Sequence, residues 1–160
     1  MKLLHAPNYT IRVIRESTSE DVPLCEVMIA GAPAGKILQG AVLAAALRWQ
    51  DYVLLFITDD VPFEEGLNIY LLDPELNVTD YARMYFMYST GVFSNLDLTQ
   101  DDMVRFHFLG EKVWTLRLFA RRKFALPLMA PRLGVHRPLS FFRSFQLSAE
   151  STPLTREHEG

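Results

Sequence analysis

The chain has 160 residues, of which 49% are apolar and 22% charged. That is ordinary globular usage, which argues against intrinsic disorder and allows about two-thirds of the unfolded surface to be buried without a metal or disulfide staple. The net charge of −3 argues against a nucleic-acid binder, and the one cysteine, Cys25, excludes an intrachain disulfide and agrees with a reducing compartment.

Met1 to Pro7 lacks the apolar centre of a secretory signal. Tyr9, Ile11 and Val13 alternate with Thr10 and Arg12, the period-two pattern of a half-buried strand over Tyr9 to Arg15. Glu16 to Asp21 is polar and reads as a loop. Leu24 to Ile29 is a second strand, which Gly31-Ala32-Pro33-Ala34-Gly35 is expected to end.

Residues 37–49 are ambiguous. Ala44-Ala45-Ala46-Leu47 favours a helix on propensity, but Ala41 to Leu47 leaves no polar face, so strand is preferred with a helix as the alternative. Its most apolar part, Ile37 to Leu47, is too short to cross a bilayer and is bracketed by Lys36 and Arg48. The chain therefore reads as cytoplasmic, with no membrane partner.

Tyr52 to Thr58 is a continuous apolar, β-branched and aromatic run, the mark of a strand buried on both faces. An acidic loop follows from Asp59 to Gly66. Leu67 to Leu72 and Val78 to Met84 flank Asp73-Pro74-Glu75-Leu76-Asn77, a turn opened by Asp-Pro, and form a hairpin. Tyr88 to Gly91 is a loop, and a short strand is expected around Val92 to Leu98. In Met103 to Leu109, Val104, Phe106 and Phe108 alternate with Arg105 and His107. With Val113 to Phe119 this is the clearest hairpin in the chain. Phe124 to Met129 adds a further short strand, Pro127 to Pro138 is irregular, and Leu139 to Leu147 returns as the last strand.

The pattern predicts a mainly β fold, an antiparallel β-sandwich or partly open barrel of about 8–10 strands. Residues 1–147 form one globular domain and residues 148–160 a polar, mobile tail.

Charge is divided along the chain. From Asp59 to Glu111 there are eleven acidic residues and two basic ones, Arg83 and Arg105; from Lys112 to Ala149 there are eight basic residues and no acidic one. Either the two stretches neutralise each other in the fold, or one patch stays exposed and steers a charged partner.

Reactive motifs are wanting. Gly31 to Lys36 has the glycines and lysine of a phosphate cradle but neither its spacing nor its hydroxyl, and Pro33 removes an amide. His5, His107, His136 and His158 lie too far apart for a zinc motif, and Asp59, Asp60, Glu64 and Glu65 do not follow the calcium-loop spacing. No metal or other cofactor is expected. No nucleophile elbow surrounds Ser89 or Thr90, and Cys25 sits inside a strand. Arg121-Arg122-Lys123 beside Phe119 and Phe124 has the composition of a single-strand binding surface, without any known nucleic-acid fold motif.

These features point to a non-catalytic protein-binding module of the immunity, antitoxin or effector-chaperone kind. Its basic partner would dock on Asp59, Asp60, Glu64 and Glu65, with Asp73, Glu75, Asp101 and Asp102 in neighbouring turns and Phe63 or Tyr88 as aromatic anchor. The alternative is a small ligand-binding barrel or hydrolase whose pocket gathers His107, Arg105, Tyr88 and Asp60. A third possibility is a structural subunit that pairs through an open sheet edge.

Overall fold

The computed structural model describes residues 2–61, 64–85, 91–110, 112–124, 134–138 and 142–150. Thirteen strands run through them, with no helix among the described residues. In chain order these are β1 (Leu4–His5), β2 (Tyr9–Arg15), β3 (Leu24–Ile29), β4 (Ala32–Gln39), β5 (Val42–Trp49), β6 (Tyr52–Thr58) and β7 (Leu67–Leu72). There follow β8 (Val78–Met84), β9 (Ser94–Asp97), β10 (Met103–His107), β11 (Val113–Phe124), β12 (Val135–His136) and β13 (Phe142–Glu150). They form three antiparallel sheets in the orders β2-β3-β4, β1-β5-β6-β7-β8-β12 and β13-β11-β10-β9, and none closes into a barrel. The fold is sandwich-like.

The six-stranded sheet is the middle layer. β6 and β7 lie at its centre, paired from Val53–Leu72 to Thr58–Leu67, and β7 is buried along its whole length. Leu54, Phe56, Leu67, Ile69 and Leu71 point to one face and pack against Phe106, Phe108, Trp114, Leu116 and Phe145 of the four-stranded sheet. Val53, Leu55, Ile57, Tyr70 and Leu72 point to the other and pack against Cys25, Val27 and Leu38 of the three-stranded sheet. Two apolar faces on one strand abolish alternation, which is why Tyr52 to Thr58 reads as an unbroken run. Each fully buried Leu, Ile or Phe contributes roughly 1.5–3 kcal/mol relative to exposure.

The stretch 37–49 is not a helix. It is the end of β4 and all of β5, joined at Gly40 and Ala41. Gly40 has φ +138°, and a Cβ there would stand 2.1 Å from Ile57 Cγ2, so the turn packs directly on β6. The register shifts between Leu43 and Ala45, and this bulge swaps the faces and hides the alternation that a sequence reading needs. β5 and β6 are joined by Gln50-Asp51, with Trp49 facing Tyr52 and Gln50 left-handed at φ +54°.

The second strand ends at Ile29 as expected, but Ala32 to Gly35 belong to the next strand and not to a loop. Ala30 and Gly31, at φ +50° and +79°, make a two-residue turn, and the chain returns at once as β4. Pro33 is tolerated because β4 is an edge strand. The short strand near residues 92–98 is β9, and the hairpin of β10 and β11 pairs from Met103–Arg117 to His107–Val113. The last strand runs on to Glu150, so the expected tail at 148–160 loses its first three residues to β13. Residues 151–160, and the strand expected from 124 to 129 beyond its first residue, lie outside the described residues.

Candidate functional site

The connection from β6 to β7 begins where burial of the central strand ends. Asp59 is only 4% exposed, and its Oδ1 accepts a hydrogen bond from Asn68 Nδ2 at 2.8 Å. Its Oδ2 pairs with Arg83 Nη1 at 2.7 Å. The same Nη1 donates to Asn68 Oδ1 at 2.9 Å, and the Tyr81 hydroxyl donates to that oxygen at 3.0 Å. Tyr81 stacks on Tyr70 with centroids 4.9 Å apart, and the Tyr70 hydroxyl donates to Gln39 O at 2.9 Å. This polar network lies on the face that meets the three-stranded sheet. A buried carboxylate supported by an arginine, an amide and tyrosines is electrically satisfied.

Above the network opens a cleft of about 450 Å³, lined by Ser17, Glu20, Asp21, Glu64, Arg83 and Tyr85 among others. One wall is the β2–β3 connection, where Thr18 Oγ1 accepts the amides of Glu20 and Asp21 at 3.3 and 2.9 Å. The other wall is the β6–β7 connection, where Glu64 Oε2 accepts the Tyr85 hydroxyl at 3.1 Å. Four carboxylates, those of Glu20, Asp21, Asp59 and Glu64, line it with one guanidinium, which lies over the Tyr85 ring at 5.4 Å. The cleft is therefore negative, with an arginine in its floor.

Glu65 holds the β6–β7 connection in shape. Its Oε1 accepts the amides of Asp59 and Asp60, both at 2.9 Å, and Asp59 N donates to Gly66 O at 3.0 Å. Burial pushes the Glu65 carboxyl above its ordinary value against the opposing effect of these amides.

The residues chosen from sequence do not form one surface. Asp59, Asp60, Glu64 and Glu65 lie at one end of the middle sheet. Asp73 and Glu75 lie beyond the opposite end of β7, a strand of six residues, so roughly 17–20 Å away. Asp73 Oδ1 accepts the amides of Glu75 and Asn77 at 2.9 and 2.8 Å, closing its own turn. Asp102 lies toward that same far end, where it accepts Trp49 Nε1 at 2.6 Å, and this bond holds its carboxyl below the usual range. Asp101 is exposed beside it. Phe63 and Tyr88 lie outside the described residues. For the alternative reading, Arg105 and His107 lie on the outward face of β10, opposite the buried Val104 and Phe106, and line none of the clefts described here.

Charge is partly neutralised across the two stretches. Asp80, of the acidic stretch, pairs with Arg137 of the basic one at 2.5 Å in a buried contact. Its Oδ2 accepts the amides of Ser144 and Phe145 at 2.8 and 3.2 Å, and its Oδ1 that of Tyr81 at 2.8 Å. Burial pulls the Arg137 guanidinium below its usual value, although the Asp80 charge opposes this. Arg117 and Arg121 line a separate cleft of about 590 Å³ with Asp101 and Asp102.

Cys25 is fully buried, and burial pushes its thiol up to about 11, so it is not a nucleophile at neutral pH. Among the described residues no group of three or more His, Cys, Asp or Glu is placed to hold a metal ion. No helix among them is long and apolar enough to cross a membrane.

Sequence reading missed Glu20 and Asp21, which look like any polar loop, and the buried pairs of Asp59 and Asp80. Asn68 carried a usable signal, since a lone amide inside the apolar run Leu67 to Leu72 must find partners when buried. No family model matches the chain, and no similar protein is found among curated proteins or among solved structures.

Proposed function

We propose that this chain is a non-catalytic protein-binding module that docks a basic segment of a protein partner in the cleft between the β2–β3 and β6–β7 connections. The observation that carries the reading is the convergence of Glu20 and Asp21 with Glu64 from a distant part of the chain. Asp59 is occupied by Arg83 and Asn68, so the working charges are Glu20, Asp21 and Glu64, with Asp60 exposed nearby. Carboxylates on two short connections of a stiff three-layer scaffold raise association rates with a basic partner and lose little entropy on binding. The Arg83 guanidinium, whose Nη1 is bonded within the network, has five N–H donors and can offer one to a partner carbonyl.

Such a layout suits a small immunity, antitoxin or effector-chaperone protein, whose task is to cover a cationic surface. The test is titration with an acetylated octalysine peptide at two salt concentrations, in the unaltered protein and in a Glu20→Gln, Asp21→Asn, Glu64→Gln variant. Binding that weakens steeply with salt, and much less steeply in the variant, is the expected result. Equal affinity and equal salt slope in both proteins would remove the cleft from consideration.

A further inference from the structure

On the other side of the β6–β7 connection, Glu65 lines another pocket. Its volume is about 330 Å³, and its lining is Val42, Ala44, Thr58, Gly91, Val92 and Phe93 together with Glu65. Among the described residues of the lining, Glu65 and Thr58 carry the polar side chains and the rest are apolar or glycine. Val42 and Val92 are 45% and 77% exposed, so apolar surface stands open to water at the rim.

The pocket is preformed. The Phe93 ring stacks on Phe106 at 5.3 Å and meets Phe56 at 5.2 Å, which ties this wall to the larger core. Gly91 lies so close to Phe108 that a Cβ would approach the ring to 2.7 Å, so the neighbouring wall has no slack. The amides of Asp59 and Asp60 fix Glu65 through Oε1, and the Val61 amide adds a weaker third contact to the carboxyl. A half-buried carboxylate held by the backbone mainly through one oxygen, set beside apolar side chains, calls for a compact cation on an apolar stem.

We propose that this pocket receives a lysine side chain of the protein partner, its ammonium on Glu65 Oε2 and its methylenes on Val42, Val92 and Phe93. The chemistry selects lysine over arginine. A guanidinium gains most from a bidentate grip on both carboxylate oxygens, and one of these is already taken by the backbone. An ammonium needs a single strong acceptor, and the Thr58 hydroxyl can take a second of its three donors. The aliphatic stem covers the exposed valines, the way lysine packs over apolar surface with its charge at the tip. Charged groups adjoining Glu65 are Asp59, already neutralised by Arg83, and Asp60 and Glu64 of the same connection; β5, β6 and Gly91 to Phe93 contribute no charge to the lining.

The source of the lysine rests on the protein-binding reading above, whereas the pocket's preference for an alkylammonium does not. The experiment separates them by using n-pentylammonium as probe, followed through the methyl resonances of Val42, Val92 and Thr58. Saturable shifts are expected with n-pentylammonium, with n-pentanol and n-pentylguanidinium at least about tenfold weaker. Glu65→Gln keeps an oxygen for the Asp59 and Asp60 amides, so its spectrum stays native while the preference for the ammonium disappears. Equal response to pentanol and pentylammonium, or an unchanged preference in Glu65→Gln, would overturn the proposal. If pentylammonium binds as expected and octalysine shows no salt-dependent binding, the pocket stands and the protein-partner reading falls. If octalysine binds and pentylammonium does not, the reverse holds.

Discussion

The middle sheet carries a buried carboxylate–arginine pair on each face, and the two pairs are built differently. Asp80 and Arg137 sit between the middle and four-stranded sheets, with side chains 1% and 15% exposed. Asp80 takes three amides as well as the guanidinium, two of them from β13, while Arg137 Nη1 donates to Phe145 O at 2.8 Å. Asp59 and Arg83 sit at the sheet end under a cleft, and Arg83 keeps 22% of its side chain in contact with water. A pair saturated from all sides between two layers holds those layers in place. A pair left open on one side is available to a second molecule. Burial of a charge therefore does not by itself mark a site, and the accessible partner must be counted as well.

The largest effect should separate the two pairs directly. Asp80→Ala leaves the Arg137 charge buried and frees two β13 amides, and should cost about 3–5 kcal/mol in urea unfolding. Asp59→Ala leaves an arginine that can turn to solvent, and should cost only about 1–3 kcal/mol. Equal losses from both would break the distinction.

A second measurement reads the same contrast through Cys25, whose thiol is raised from 9.0 to about 11 by burial, with the Asp59 charge adding to it. The unfolded thiol ionises first on the alkaline side. Its contribution to stability is thus intact below pH 9 and is lost as pH rises toward 11, by up to about 1.4 kcal/mol per pH unit. Cys25→Ala should remove that part of the alkaline fall. Asp59→Asn lowers only the folded value, so it should make the fall smaller while its onset near pH 9 stays put, and Asp80→Asn should leave the fall as it is.

Smaller still is the effect on stability of neutralising Glu20, Asp21 and Glu64 together, expected to lie within about 0.5 kcal/mol because none holds a layer in place. Thermal unfolding of the triple variant checks this. Least of all is the contribution of Glu65. Its folded pKa lies above 4.5, so protonation favours the folded state. That stabilisation is full below pH 4.5 and is lost as pH rises through the folded value, and Glu65→Gln should flatten it in a pH series of denaturation midpoints.

The fold was legible where pattern and burial agree. Tyr52 to Thr58 announced a strand covered on both faces, and the alternation of Val104, Phe106 and Phe108 announced the β10–β11 hairpin. It was not legible where a bulge intervenes, as at Leu43 to Ala45, or where one glycine turns the chain inside an apolar run, as Gly40 does. The site was less visible still. Asp59 reads as part of an exposed acidic loop, yet its neighbour in space is Arg83, twenty-four residues on. Glu20 and Asp21 join Glu64 only because β2 and β3 stack on the middle sheet, a layer arrangement that no local spacing encodes. The spread of Asp73, Glu75, Asp101 and Asp102 to the far end follows from strand direction, which a count of charges along the chain leaves out.

β4 borders the outermost layer on its free side, with Pro33 near its start, Gly35 at φ +74° and Lys36 next to it. A missing amide, a left-handed kink and a positive charge in one short stretch spoil the regular ladder that an incoming strand would need. The stack is thereby capped on that flank: a neighbouring molecule finds no straight rail there on which to zip its own strand.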